Sequence, residues 1–265
     1  MTPPDCQVLL FSATFPPEVD KYAKEFIGKG KRSLVNLKLP SEASLMIPER
    51  KQFFMRSHTR NNGKIEILRE IYEYIQSNQS IVFCNTIKAV EETQRLMTEL
   101  NCPCSILHSK LPTEADRDKA IDEFRGKNLP EGVRPSKVLI CTDVIARGVD
   151  IPNVNLVVNY ELPFKSDRRG NKSVDYETYA HRIARCARAG RHGTVINFVH
   201  DAKDSESVKS IINHFSDGDP DPSLIKEWGA DPEGPDGGVE GLYRDEIEEA
   251  EARVNSIAEA KKLTT

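Results

Sequence analysis

The chain reads as an α/β protein, a mostly parallel sheet with helices on both faces. Three observations predict this. Short apolar runs of strand length alternate with segments whose apolar residues recur every three or four positions. Several runs, such as Ser80–Cys84 and Val138–Cys141, are apolar nearly throughout, as strands buried on both faces must be. The most unusual polar clusters follow these runs at their carboxyl ends, where open α/β sheets place binding loops.

Taken in order, Gln7–Ser12 is strand-like and precedes a helix at about 17–27. Gln52–Ser57 and Ser80–Cys84 read as strands flanking a helix at about 63–77, in which Ile65, Leu68, Ile71 (or Tyr72) and Ile75 fall at helical spacing. A helix at about 87–100, a strand Ser105–His108 and a helix at about 113–125 follow. Strands Val138–Cys141 and Asn155–Tyr160 come next, then a helix at about 175–186, a strand Thr194–Val199 and a helix at about 204–215. Two polar segments, Gly126–Ser136 and Phe164–Val174, read as loops; the second carries Lys165, Arg168, Arg169 and Lys172. From Asp217 to Gly241, Pro, Gly and Asp dominate, which predicts an extended connector around Trp228. Residues 243–262 predict an amphipathic helix with Tyr243, Ile247, Ala250, Val254 and Ile257 on one face, acids early and lysines late.

The 265 residues are 38% hydrophobic and 29% charged, which fits a globular chain of one or two domains. No apolar run approaches the roughly 18 residues that a membrane span needs, and the first residues do not resemble a secretory leader. The six cysteines are scattered, and Cys102-Pro103-Cys104 is too tight for usual zinc spacing, so all are expected to be reduced in an intracellular protein. The net charge of -4 is uneven: from Ser216 onward there are 14 acidic and 5 basic residues, leaving residues 1–215 at about +5. A basic body with an acidic tail suits a nucleic-acid binder, although such a tail is also an ordinary solvated helix.

The densest chemistry lies in Ala180–Arg191, AHRIARCARAGR, where Arg182, Arg185, Arg188 and Arg191 recur every third residue behind His181. Arginine presents a planar fork of donors that matches phosphate oxygens, and the small residues between would let several forks approach one anion. The plain alternative is a basic solvated helix face. A second cluster follows the strand at 138–141: VLICTDVIARGVDIP, with Thr142-Asp143 and then Arg147-Gly148-Val149-Asp150.

Together these two clusters resemble motifs V and VI of the DEAD-box RNA helicases. Ser12-Ala13-Thr14 resembles motif III, Ile81–Thr86 (IVFCNT) motif IV, and Leu107–Arg125 the segment that usually reads LHGD…R…F. Asn159–Pro163 (NYELP) and Gly193–Asp201 (GTVINFVHD) match flanking segments in the same order. The phosphate loop and acidic box of the family's first domain do not occur in this sequence. The resemblance therefore implies a RecA-like second domain at 46–215, a remnant of the first RecA-like domain and linker at 1–45, and an acidic connector and helix at 216–265.

It also implies roles. Arg185 and Arg188 would be the arginine fingers for ATP, whose magnesium the first domain holds. His181 and Arg182 would brace the closed interface at the nucleotide, with Asp150 on the ribose and Gly148 allowing close approach. RNA would be held by its backbone through Asn85, Thr86, Arg117 and Thr142. The long link between NYELP and motif VI resembles the mRNA-export branch of the nuclear pore, with the translation-initiation helicases the next most similar branch. That implies a cytoplasmic or nuclear location at the pore, with a pore activator assisted by inositol hexakisphosphate, and no membrane partner. The other reading is a non-catalytic RNA- or protein-binding module. It is kept open by Ala184 and Ala187, which stand where the family's motif VI has glycine, and by Ser109-Lys110 in place of Gly-Asp.

Overall fold

The computed structural model describes residues 10, 17–27, 46–47, 49–56, 63–74, 79–129, 135–143, 154–167, 169–187, 191–216 and 221–227. The chain divides into two compact units, Met1–Ser44 and Leu45–Thr265. Of the first, the described element is helix α1 (Pro17–Ile27), in which Asp20 and Lys24 pair one turn apart at 2.7 Å. The strand expected at Gln7–Ser12 and the helix expected at 243–262 fall outside the described residues, Leu10 excepted.

The second unit is built on strands β1 (Arg50–Arg56), β2 (Gln79–Phe83), β3 (Cys104–Leu107), β4 (Val138–Cys141), β5 (Val154–Asn159), β6 (Phe164–Ser166), β7 (Lys172–Val174), β8 (Gly193–Val199) and β9 (Lys226–Glu227). Seven of them form one sheet in the order β3-β4-β2-β5-β8-β1-β9, and every pairing in it is parallel. Helices α2 (Gly63–Tyr74), α3 (Ile87–Glu99), α4 (Glu114–Arg125), α5 (Tyr176–Ile183) and α6 (Ala202–Phe215) cover its two faces.

Strand alternation sorts the core into two layers. Ile81, Phe83, Leu139, Cys141, Val157 and Val195 pack with Phe124 of α4, Ile183 of α5 and Ile211 of α6. Their neighbours Val82, Ile140, Val158, Ile196 and Phe198 pack with Leu68 and Ile71 of α2 and Val90 and Met97 of α3. Each such side chain gains about 1.5–3 kcal/mol on leaving water, so the central strands are held from both sides. This is why they are apolar nearly throughout.

Side-chain caps fix where the helices begin. Thr86, Thr113, Asp175 and Asp201 accept from the backbone amides of Ala89, Asp116, Thr178 and Asp204 respectively. Each cap is worth about 1 kcal/mol. At Thr113 the contact is reciprocal, since the Asp116 side chain also accepts from the Thr113 amide at 3.0 Å. Gly126 ends α4 with φ 69, a left-handed turn that suits glycine.

Three expectations change. Phe164–Val174 is a two-stranded antiparallel hairpin, because Phe164 and Val174 pair across it and give it an apolar foot. The predicted connector contains a short 3-10 turn at Pro222–Leu224 and then β9, which pairs Phe53 with Lys226 and Phe54 with Glu227 at the sheet edge. The helix expected to reach 186 stops at Ile183, and residues 184–187 turn instead.

Candidate functional site

Parallel strands deliver their following loops to one edge of the sheet. β2 ends into Asn85-Thr86, β3 into His108–Leu111, β4 into Thr142-Asp143, and β5 into Tyr160–Pro163. One buried side chain joins three of these loops. Arg182 lies on α5 with no exposed surface, and all five of its N–H donors are used. Its Nε and Nη2 grip the two carboxylate oxygens of Asp143 at 2.6 and 2.9 Å. Nη2 also donates to Asn85 Oδ1 at 2.9 Å, while Nη1 donates to the Glu161 carbonyl at 2.7 Å and Asn159 Oδ1 at 3.3 Å. The guanidinium stands 5.1 Å from the centre of the Phe83 ring. A buried cation tolerates the loss of its hydration only when its partners are this complete.

Asn85 extends the knot. Its backbone amide donates to Glu161 Oε2 at 2.7 Å and its Nδ2 to the Leu162 carbonyl at 2.8 Å. Beneath Arg182 a polar chain crosses the core. Asn159 Nδ2 donates to Asn197 Oδ1 at 2.8 Å, Asn197 Nδ2 to the Tyr179 hydroxyl at 3.2 Å, and that hydroxyl to Gln52 Oε1 at 2.9 Å. Burial pushes the Tyr179 hydroxyl pKa well above its ordinary value, so it stays a neutral donor.

The arginine-bearing turn after α5 is pinned from below. The Cys186 carbonyl accepts from Arg50 Nη2 at 3.2 Å, and its thiol donates to the Asn155 carbonyl at 3.2 Å. A Cβ on Gly193 would stand 2.1 Å from the Cys186 sulfur and 2.8 Å from the Ala187 nitrogen, so β8 must start on glycine to pass under this turn. Ala184 has φ -66, an ordinary helical value, so the absence of glycine costs nothing there. Ala187 has φ 60, which costs a side-chain-bearing residue about 1–2 kcal/mol.

Of the predicted residues, Arg185 is half-buried on this turn, and its amide donates to the Arg182 carbonyl at 3.1 Å. Its charge is felt at the Cys141 thiol, where β4 ends. His181 is half-buried in the last turn of α5. Thr86 is exposed; its hydroxyl accepts from the Ala89 amide at 3.1 Å and keeps its own proton to donate. Thr142 is half-buried, with its amide on the Leu107 carbonyl at 3.1 Å and no side-chain partner among the described residues. Arg117 donates from Nη2 to the Ser109 carbonyl at 3.1 Å, and its buried Nε finds no partner among the described residues. Gly148, Asp150 and Arg188 lie outside the described residues.

Burial raises the Cys84 thiol to about 12 and lifts that of Cys141 well above its ordinary value, so neither supplies a thiolate near neutrality. Among the described residues, no group of His, Cys, Asp and Glu could hold a metal ion, and no helix is long and apolar enough to cross a membrane. The sequence reading missed Asp143, Glu161 and the Gln52–Tyr179–Asn197–Asn159 chain. Asp143, Asn159 and Glu161 sat inside quoted motifs; Gln52 had no local signal, since its partner Tyr179 is 127 residues away.

Residues 63–190 match the model of the helicase conserved C-terminal domain. The solved C-terminal domain of the DEAD-box protein Dbp5 is 36% identical with a TM-score of 0.55, the match covering 68% of this chain and 90% of that one. The chain belongs to the DEAD-box RNA helicases. This DEAD-box domain is also 41% identical over 215 residues to the ATP-dependent RNA helicase DBP5 of Meyerozyma guilliermondii, a match covering 81% of this chain and 41% of the relative. The chain thus spans about two fifths of the length of the curated relatives it matches. S. cerevisiae Dbp5 bound to RNA and ADP BeF3 matches at 34% identity and TM-score 0.66, covering 85% of this chain and 52% of that one. S. cerevisiae Dbp5 L327V bound to Gle1 H337R and IP6 matches at 34% and 0.64, covering 85% and 50%. The mostly parallel RecA-like sheet of this DEAD-box domain is the architecture these relatives share.

Proposed function

We propose that this DEAD-box domain grips the backbone of RNA and completes the ATP site of a two-domain RNA helicase that remodels messenger ribonucleoprotein during export. On this reading 46–215 is the second RecA-like domain, 1–45 belongs to the first and its linker, and 216–265 is an acidic extension. The observation that carries the proposal is the Arg182 knot. It ties the loops after β2, β4 and β5 to the helix that leads into Arg185, so phosphate-seeking cations and RNA-facing hydroxyls move as one body.

Arg185 and Arg188 then supply cations to the triphosphate held by the first domain. In phosphoryl transfer the charge spreads over the equatorial oxygens, and a cation aimed there lowers the barrier without exchanging a proton. Arg182, with its donors already spent, positions Arg185 through the Asp143 pair, while His181 faces the closing interface. Asp150 accepts from the ribose hydroxyls and Gly148 clears space for them. Magnesium is held by the first domain. The hydroxyls of Thr86 and Thr142 and the guanidinium of Arg117 donate to RNA phosphates, with Asn85 holding the Thr86 loop in place. Such contacts carry no base identity. Similarity to the Gle1- and IP6-bound Dbp5 supports a pore activator assisted by inositol hexakisphosphate as partner, and the cytoplasmic face of the pore as location.

The test joins this chain to the first domain of a DBP5 relative and follows RNA-stimulated ATP hydrolysis. Arg185→Ala is expected to lower turnover about a thousandfold, the lower range for an arginine finger, with RNA affinity retained. Hydrolysis indifferent to Arg185 removes the finger. An active-site assembly that binds RNA but never hydrolyses ATP leaves the second reading, a non-catalytic RNA-binding module, which the left-handed Ala187 within motif VI favours.

A further inference from the structure

The β6–β7 hairpin lies in the long link between NYELP and the arginine run, outside the helicase motifs themselves, and it leaves the sheet at the same edge as the loops above. Asp167 shapes its turn. Oδ1 accepts from the amides of Arg169 at 2.8 Å and Asn171 at 2.9 Å, and Oδ2 accepts from Asn171 Nδ2 at 2.9 Å. Gly170 completes the reversal at φ 83, in open space. Asp167 is the only acid between 164 and 174, and its carboxylate is spent inside the turn.

The cations are left facing water. Lys165, Arg169 and Lys172 are exposed, and no carboxylate pairs with them among the described residues. Lys203 of α6 lies over the Phe164 ring at 5.3 Å and adds a cation at the root of the hairpin. That root is anchored. Phe164 and Val174 pair into the core, and the Asp175 amide donates to the Pro163 carbonyl at 3.0 Å. Asn85, next to Thr86, donates to the Leu162 carbonyl two residues before the hairpin starts. The basic finger and the Thr86 loop therefore share one hydrogen-bonded base.

We propose that this hairpin is a second RNA-backbone contact, which lengthens the phosphate track that starts at Thr86 and Thr142. Preformed geometry lowers the ordering cost of binding. Cations with no internal carboxylate release counterions when they meet phosphate, which makes the contact salt-dependent. Lysine and arginine side chains on a strand pair, with no aromatic ring on the exposed surface, grip charge without reading bases. The proposal rests on the RNA reading of the adjoining site.

The experiment is fluorescence anisotropy of the full chain with labelled single-stranded RNAs of increasing length, over a salt series. The variant Lys165→Ala/Arg169→Ala/Lys172→Ala is expected to bind long RNA about tenfold more weakly, with a salt slope smaller by roughly 2, at about 0.7 per lost phosphate contact. Short RNA is expected to bind as before, with the thermal melt unchanged. Asp167→Ala separates shape from charge. Removing an acid strengthens any diffuse attraction, so tighter binding overturns the proposal, whereas weaker binding, through loss of the turn, supports it. If the native chain binds RNA and the triple variant matches it in affinity and slope, the hairpin is no RNA contact and is left to an acidic protein partner. If the native chain binds no RNA even at low salt, the adjoining site's RNA reading fails, and this proposal with it.

Discussion

Arg182 and the cations of the β6–β7 hairpin lie on one continuous connection between β5 and β8, and they carry the same charge. Their situations are opposite. Arg182 has no exposed surface and has every donor matched. Lys165, Arg169 and Lys172 are exposed, with the only nearby acid of their hairpin turned into its own backbone. A buried, saturated cation organises its own protein, because removing it strands several polar groups away from water. An exposed, unmatched cation does little for stability and is available to an outside anion. An arginine- and lysine-rich stretch thus divides into a part that builds the site and a part that faces water.

The sharpest way to break this contrast is to remove each cation and measure stability. Arg182→Ala leaves the buried Asn159 without its donor, while the 40% exposed Asp143 turns to water, and is expected to cost about 2–4 kcal/mol in urea unfolding. Removing the three hairpin cations is expected to stay within about 0.5 kcal/mol of the native chain. Equal costs would abolish the distinction. Lysine at 182 is expected to rescue little, since one ammonium cannot reproduce the fork on Asp143.

A smaller effect tests how the turn beneath Arg185 is held. Gly193→Ala forces the new methyl against the Cys186 sulfur and the Ala187 backbone. It is expected to cost about 1–3 kcal/mol, as overpacking does, and to lower RNA-stimulated hydrolysis in the two-domain protein more than RNA affinity. A neutral substitution would mean that the turn is not pinned from below.

The smallest effect concerns acid. The hydrogen bonds of Asn171, first from its side chain and then from its amide, hold the Asp167 carboxyl below its usual value of 3.8. A carboxyl lowered in the folded state stabilises above its ordinary pKa, and that contribution is lost as pH falls through the lowered value. Amide protection factors at Arg169 and Asn171, taken against the intrinsic exchange rate at each pH, are therefore expected to be unchanged from neutrality down to about the ordinary carboxylate pKa and to fall below it, before the sheet unfolds. Simultaneous loss of hairpin and sheet would show that the hairpin is no separate unit.

The strand and helix order was legible because burial on both faces forces apolar runs and one-sided burial forces helical spacing, and both patterns are local. Thr142 and Asn85 could be placed at strand ends for a related reason, since each stands just after an apolar run. The hairpin was missed because only two apolar residues, Phe164 and Val174, anchor it, which is too few for a periodic pattern. β9 was missed because two residues joining a sheet edge leave no signature in a segment rich in Pro and Gly.

The sequence alone therefore determined the alternating α/β order, the membership of its arginine run and Thr-Asp segment in one family, and the location of positive charge. Only the tertiary structure decided which cations are spent and which are offered. That depends on partners such as Asp143, 39 residues from Arg182, and Asn85, 97 residues away. Long-range pairing in a desolvated core is set by how strands and helices stack, and no local spacing encodes it.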